Sequence, residues 1–129
     1  PAQLLELIED GFVPVVAPVS SDVDLVTGLN VNADFAAASI AAALGASQLI
    51  VMTDVPGIYR NWPDKSSLIS EISVDELKAM SFSDGMVPKV EAAINAIESG
   101  ASSSRIIDGT SFEAFISALD ERGGTWVRK

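Results

Sequence analysis

The chain has 129 residues, 48% hydrophobic and 20% charged, which suits one globular domain and excludes disordered, collagen-like and disulfide-scaffold classes. Cysteine and histidine are both absent, so thiol nucleophiles, disulfides, zinc sites and imidazole catalysis are excluded. Eight Lys and Arg against eighteen Asp and Glu give a net charge of −10, a field that opposes nucleic acid and acidic membranes. Small phosphorylated ligands stay open, because a metal ion and a few local donors outweigh a global field.

Pro1, in place of Met, opens almost directly onto a helical pattern over Gln3 to Glu9, as in a piece of a larger protein. After Asp10-Gly11, the run from Phe12 to Pro18 reads as a short buried strand, although Pro14 lacks a donor. Ser20 to Gly28 is polar and reads as a loop or exposed hairpin. Its Asp22 and Asp24 lack the spacing and glycine of a calcium loop. Asn30 to Asp34 leads into an Ala-rich helix from Phe35 to Leu44, apolar nearly all round, stopped by Gly45 and expected to be buried on most sides. Gln48 to Thr53 has the look of an interior parallel strand. Asp54 to Asp64 follows as a connection rich in breakers at that strand's carboxyl end, where open α/β sheets bind ligands.

Ser73-Val74-Asp75-Glu76 has capping-box spacing and predicts a helix from Val74 to Met80, interrupted over Ser81 to Met86. A longer helix is predicted over Val87 to Ser99, with Pro88 in its first turn and Gly100 as its stop. Ser103 to Asp108 reads as a strand, Thr110 to Glu113 as a second capping box, and Thr125 to Arg128 as a last strand. The alternation predicts an α/β fold, a largely parallel sheet with helices on both faces. No apolar run reaches the roughly 20 residues of a membrane helix, and no leader pattern is seen, so the expected location is the cytoplasm.

Three segments carry chemistry. Lys89 falls in the first turn of a helix, where the dipole disfavours a cation unless an anion is bound beside it. A phosphate there, approached closely at Gly85, is one reading; a surface lysine paired with Asp84 or Glu91 is the other. Asn30, Asn32 and Asp34 share one face of an extended segment, Asn32 being a natural N-cap. They suit either a carboxylate-bearing substrate and the orientation of a catalytic lysine, or a cap with a dipole-favoured Asp34. Asp54 to Tyr59 bends at Pro56-Gly57, as a plain turn or as backbone wrapped around a flat ligand with Ile58 and Tyr59 as walls. Arg60, Trp62, Pro63 and Asp64 read as a solvated loop pinned by its tryptophan. P-loop and Rossmann glycine fingerprints do not occur.

Taken together, Asn30 to Asp34, Leu49 to Ile58 and Gly85 to Ala93 closely resemble, in order and spacing, the carboxyl-terminal half of N-acetylglutamate kinases in the amino-acid kinase superfamily. The resemblance implies an αβα sandwich, here one nucleotide-binding half spanning residues 1–129, which phosphorylates the γ-carboxylate of N-acetyl-L-glutamate in arginine biosynthesis. ATP with its Mg2+ is the implied cofactor, with no metal held by side chains. Lys89 would stabilise the transferring phosphoryl group, and Asp34 would position catalytic lysine. Asn30, with Asn32, would bind the substrate. Thr53, Asp54, Val55, Pro56, Gly57, Ile58 and Tyr59 would line the nucleotide pocket, with Ser81, Phe82, Ser83, Gly85 and Met86. Phosphoryl transfer asks mainly for positioning and fixed positive charge, which suits a chain without histidine. Nothing here matches the family's glycine-rich loop with its second lysine, so the isolated chain is expected to be inactive and its parent to be a homo-oligomer. Arg122-Gly123-Gly124-Thr125 departs from the G-x-G-T pattern of arginine-inhibited members. An aminoadipate- or aspartate-type kinase and a non-catalytic nucleotide-sensing module are the alternatives.

Overall fold

A computed structural model describes every residue except Val23 and Leu25, which fall within the predicted Ser20 to Gly28 segment. Helix α1 spans Ala2–Glu9, strands β1 (Val19–Ser21) and β2 (Gly28–Asn30) form an antiparallel hairpin, and α2 spans Ala33–Ala43. Strand β3 (Leu49–Thr53), a 3-10 turn (Lys65–Ser67), β4 (Glu71–Ser73) and α3 (Val74–Lys78) follow. Then come α4 (Val87–Ser99), β5 (Ser104–Asp108), α5 (Phe112–Leu119) and β6 (Thr125–Arg128).

The main sheet has the order β3-β5-β6-β4. β3 pairs with β5 and β4 with β6 in parallel, while β5 and β6 run antiparallel. The expected α/β architecture is therefore present, with its parallel pairs joined across one antiparallel contact. Ile106 faces the cluster that contains Val90, Ala93, Ala96 and Ile97 of α4. Its neighbour Ile107, equally buried, is outside that cluster, and α5 packs against β5. Adjacent strand residues point to opposite faces, so helices cover both.

Helices α2 and α4 pack side by side, and small residues are buried on both, Ala38 and Ala41 of α2 and Ala92, Ala93 and Ala96 of α4. Their starts meet where Lys89 reaches Asp34, and their ends meet where a Cβ on Gly100 would lie 3.0 Å from the carbonyl oxygen of Ala42. The two helices are therefore parallel. Asn32 caps α2 by accepting from the backbone N–H of Asp34 and Phe35, and Ser73 and Glu76 form the predicted capping box of α3.

Five expectations change. Phe12 to Pro18 is extended but is not a strand, and Val13 and Val15 are almost fully exposed. Two prolines remove ladder donors, and an apolar gap of about 310 Å³ separates Pro14 and Val16 from α2 and Leu49. β3 stands at the sheet edge rather than inside it. Only Ala38 and Ala41 of α2 are buried, since one face alone is covered. Ser111, not Thr110, caps α5, because Thr110 is bonded to the Asp108 carboxylate. The helix begun by the Ser73 box also ends early, at Lys78.

Behind the sheet's carboxyl end, Thr125 is fully buried; its hydroxyl accepts from the Ile58 N–H at 2.8 Å and donates to the Ile69 carbonyl at 2.6 Å. Gly57 is obligatory there, since a Cβ would stand 2.5 Å from that hydroxyl oxygen. At Gly124, whose φ is +63, a Cβ would stand 2.4 Å from the Ile106 carbonyl oxygen, so no side chain fits there. Arg105, buried beside this turn, donates to Gln48 and to the Glu121 and Gly123 carbonyls, and its desolvation lowers its pKa from the usual arginine value.

Thr125→Val should therefore destabilise the chain by about 2–4 kcal/mol, since each buried group left unpaired costs about 1–3 kcal/mol. Thr125→Ser, which keeps the hydroxyl, should recover most of the loss in thermal melts. Hydrogen bonds from neighbouring hydroxyl and backbone groups hold Asp24, Asp64, Glu76 and Asp108 below their usual carboxylate values. A lowered folded pKa gives stability that is present above the unfolded value and is lost as pH falls through the folded one. The melting temperature should decline as pH is lowered from about 5 toward about 3, with these four groups contributing to the slope.

Candidate active site

The carboxyl end of β3, the connection after it and the start of α4 enclose a cleft of about 880 Å³. Thr53, Asp54, Val55, Gly57, Ile58 and Tyr59 line one side; Ser81, Phe82, Ser83, Gly85, Met86 and Lys89 line the other. Helix α4 follows β3 and leads back to its parallel partner β5, so its first turn lies at the strands' carboxyl ends, where such sheets bind ligands. A Cβ on Gly85 would meet nothing within 4 Å, so its backbone fronts open space. The single acidic side chain among these lining residues is Asp54, which accepts from the Thr53 hydroxyl at 3.3 Å.

Lys89 occupies the third position of α4, and its Nζ donates to Asp34 Oδ2 at 3.1 Å and to Oδ1 at 3.3 Å. The two side chains are 23% and 22% exposed, so the pair is largely shielded from solvent. Asp34 is in the first turn of α2, where the dipole favours a carboxylate; Lys89 is at a position where the dipole opposes a cation. The carboxylate offsets that conflict and fixes the ammonium at the cleft. Neither Asp84 nor Glu91 is the ion-pair partner of Lys89.

The predicted residues separate into two groups. Lys89 and Asp34 come together, and the predicted segments on both sides of the cleft face one another, with Pro56 alone of that set off the lining. Asn30 and Asn32 are exposed and do not line the cleft; the side-chain oxygen of Asn32 caps α2, and Asn30 stays in the hairpin opposite Val19. Arg60 and Trp62, read from sequence as part of a solvated loop, line the cleft together with Asn61 and Met52. A tryptophan three positions after Tyr59, in a connection at the carboxyl end of a strand, is the sequence signal that points to them. Among the described residues, no group of three or more Asp or Glu is placed to hold a metal ion. No helix there is long and apolar enough to cross a membrane.

A family model, the amino acid kinase family, matches residues 1–108 of this sequence. The chain belongs to that family. It is 50% identical over 105 residues to an acetylglutamate kinase of Salinispora tropica, a match that covers 80% of this chain and 35% of that protein. With an acetylglutamate kinase of Corynebacterium glutamicum the identity is 42% over 125 residues, or 95% of this chain and 42% of the relative. The chain thus spans 35% to 42% of the length of these two relatives. Among solved structures, a carbamate kinase from Giardia lamblia bound to AMP-PNP superposes with a TM-score of 0.69 at 27% identity, covering 86% of this chain and 41% of that one. An N-acetylglutamate synthase from Neisseria gonorrhoeae shares the fold with a TM-score of 0.89 at 24% identity, covering 99% of this chain and 30% of that one. This family member therefore has a kinase's fold with a cation fixed at its main cleft.

A double-mutant cycle checks the Lys89–Asp34 pair. Asp34→Asn should cost about 1–2 kcal/mol in chemical denaturation, and the cycle with Lys89→Met should return a coupling of about 1 kcal/mol. A coupling near zero would mean that solvent, not Asp34, balances the lysine.

Proposed function

We propose that the chain is the ATP-binding half of an acetylglutamate kinase, which transfers the γ-phosphoryl group of Mg·ATP to the γ-carboxylate of N-acetyl-L-glutamate in arginine biosynthesis. The observation that carries this reading is the Lys89 ammonium, pinned by Asp34 at the start of α4 and facing a cleft large enough for a nucleotide. Identities of 42% to 50% to proteins named acetylglutamate kinase support the acceptor. The rest of a kinase's substrate contacts belong to the part of the relatives' length that this chain does not span.

Phosphoryl transfer needs little covalent help from protein; it needs position and charge. In this reading Lys89 is a catalytic residue that meets the negative charge on the equatorial oxygens of the transferring group. Asp34 is a positioning residue, because it acts through the lysine and does not touch the nucleotide. The Val87 N–H already donates to the Ser83 carbonyl and Pro88 has no N–H, so among the first three positions of α4 it is the Lys89 backbone that adds a donor for phosphate oxygens. Asp54, Val55, Gly57, Ile58 and Tyr59, with Ser81 to Ser83, Gly85 and Met86 opposite, line the nucleotide's binding cleft, and Asn30 is the contact for the acceptor's α-carboxylate. A magnesium ion that arrives on the triphosphate neutralises part of its charge. The whole enzyme works as a homo-oligomer in the cytoplasm.

The isolated 129-residue chain should bind Mg·ATP in calorimetry and show no acetylglutamate-dependent phosphoryl transfer. In the whole enzyme, Lys89→Ala and Lys89→Arg should each lower kcat at least about a hundredfold, roughly 2.7 kcal/mol of barrier, since a planar fork does not replace a compact ammonium. Turnover near the unmodified rate by Lys89→Ala overturns the assignment.

A further inference from the structure

The cleft has two unlike regions. Around Lys89 it is cationic and lies at the start of α4, fit for phosphate. Around residues 59–62 it is aromatic: Tyr59 and Trp62 both line it, with ring centroids 5.2 Å apart in an edge-on arrangement at 66°. The edge-on contact leaves an indole face uncovered by Tyr59, and Trp62 is 63% exposed.

That exposure is not a sign of a slack loop. The Arg60 N–H donates to the Ser67 carbonyl and the Asn61 N–H to the Ser67 hydroxyl, at 2.9 and 3.0 Å. The Asp64 N–H donates to the Asn61 carbonyl at 2.8 Å, and the Asp64 carboxylate accepts from the Ser66 N–H and hydroxyl. An isolated bridge between Tyr59 and Leu68 closes the base of the loop. The loop holds a large apolar ring beside an open cleft without burying it, at the hydration cost that a buried tryptophan avoids. A flat ligand that covers the ring removes that cost.

Resting on the nucleotide reading above, we propose that Trp62 is a binding residue that stacks on the base of the bound nucleoside triphosphate and supplies the base-dependent part of its affinity. The phosphates are held at the Lys89 end, and the base is carried to the Tyr59–Trp62 wall, where every nucleobase presents a π-face of matching shape. Arg60, beside Tyr59 and Trp62 on the cleft, is the nearest cation in sequence to this wall.

Calorimetry of the 129-residue chain with Mg·ATP and with Mg·tripolyphosphate separates base from phosphate. Trp62→Ala should weaken Mg·ATP at least about tenfold, in the range a stacked base loses on alanine substitution, and change Mg·tripolyphosphate by less than about twofold. Trp62→Phe should keep most of the affinity. Equal loss for both ligands, or no loss for ATP, overturns the proposal while leaving nucleotide binding intact. Failure of the unmodified chain to bind either ligand overturns the nucleotide reading and this proposal together. A second measurement is independent of tripolyphosphate affinity: in Trp126→Phe, which leaves Trp62 as the remaining tryptophan of two, saturating Mg·ATP should quench the emission. Unchanged emission at saturation also overturns it.

Discussion

The site depends on how closely two parallel helices approach. Alanines at the seam between α2 and α4 let the backbones come together without side-chain bulk, and this brings the two N-termini to one place. Parallel dipoles side by side repel, and their positive ends reinforce one another. Asp34 answers that concentration of positive potential, and it also holds Lys89 in a place a lysine would otherwise avoid. A larger residue at Ala92 or Ala96 would part the helices and separate the pair, although neither alanine touches the cleft.

The rest of the fold supports the opposite wall. Thr125 joins the connection after β3 to β6 and, through Ile69, to the approach to β4. Gly57 and Gly124 are the two points where side chains are excluded so that backbones can meet. The Arg105 guanidinium fixes the turn that precedes Thr125, so the cleft wall is braced through a chain of contacts that begins on the far face of the sheet. Chemistry and scaffolding are thus divided: α2 and α4 supply charge, and β6 with its preceding turn supplies shape.

Local signals in the sequence were sufficient for most helices, because caps and stops act within a few residues: Asn32 and Gly45 bracket α2, and Pro88 and Gly100 bracket α4 as predicted. Strand placement was less legible. Leu49 to Thr53 has the composition of an interior strand yet stands at an edge, and Phe12 to Pro18 has apolar residues but no partner for its backbone; pairing is a property of what lies alongside, which no single segment encodes. β4 went unseen because three residues with one buried side chain make no period. The meeting of Lys89 with Asp34, 55 positions apart, was legible only through resemblance to a family, since charge spacing alone favoured Asp84 or Glu91 equally. Trp62 is as exposed as the solvated-loop reading expects, and only the cleft it lines, which no local signal reveals, adds to that reading.

The two parts of the cleft's aromatic side are held in different ways. The Ile58 N–H is tied to a residue 67 positions away on an interior strand, so it is released only when β6 leaves the sheet. The loop from Arg60 to Ser67 closes on itself through contacts no more than seven positions apart, and it can open without disturbing a single strand. Hydrogen exchange should release the first only on global unfolding and the second through a local opening. Sequence change in that loop is therefore uncoupled from the stability of the sheet, and a family built on this scaffold can exchange the face it shows to a ligand while the sheet beneath stays the same.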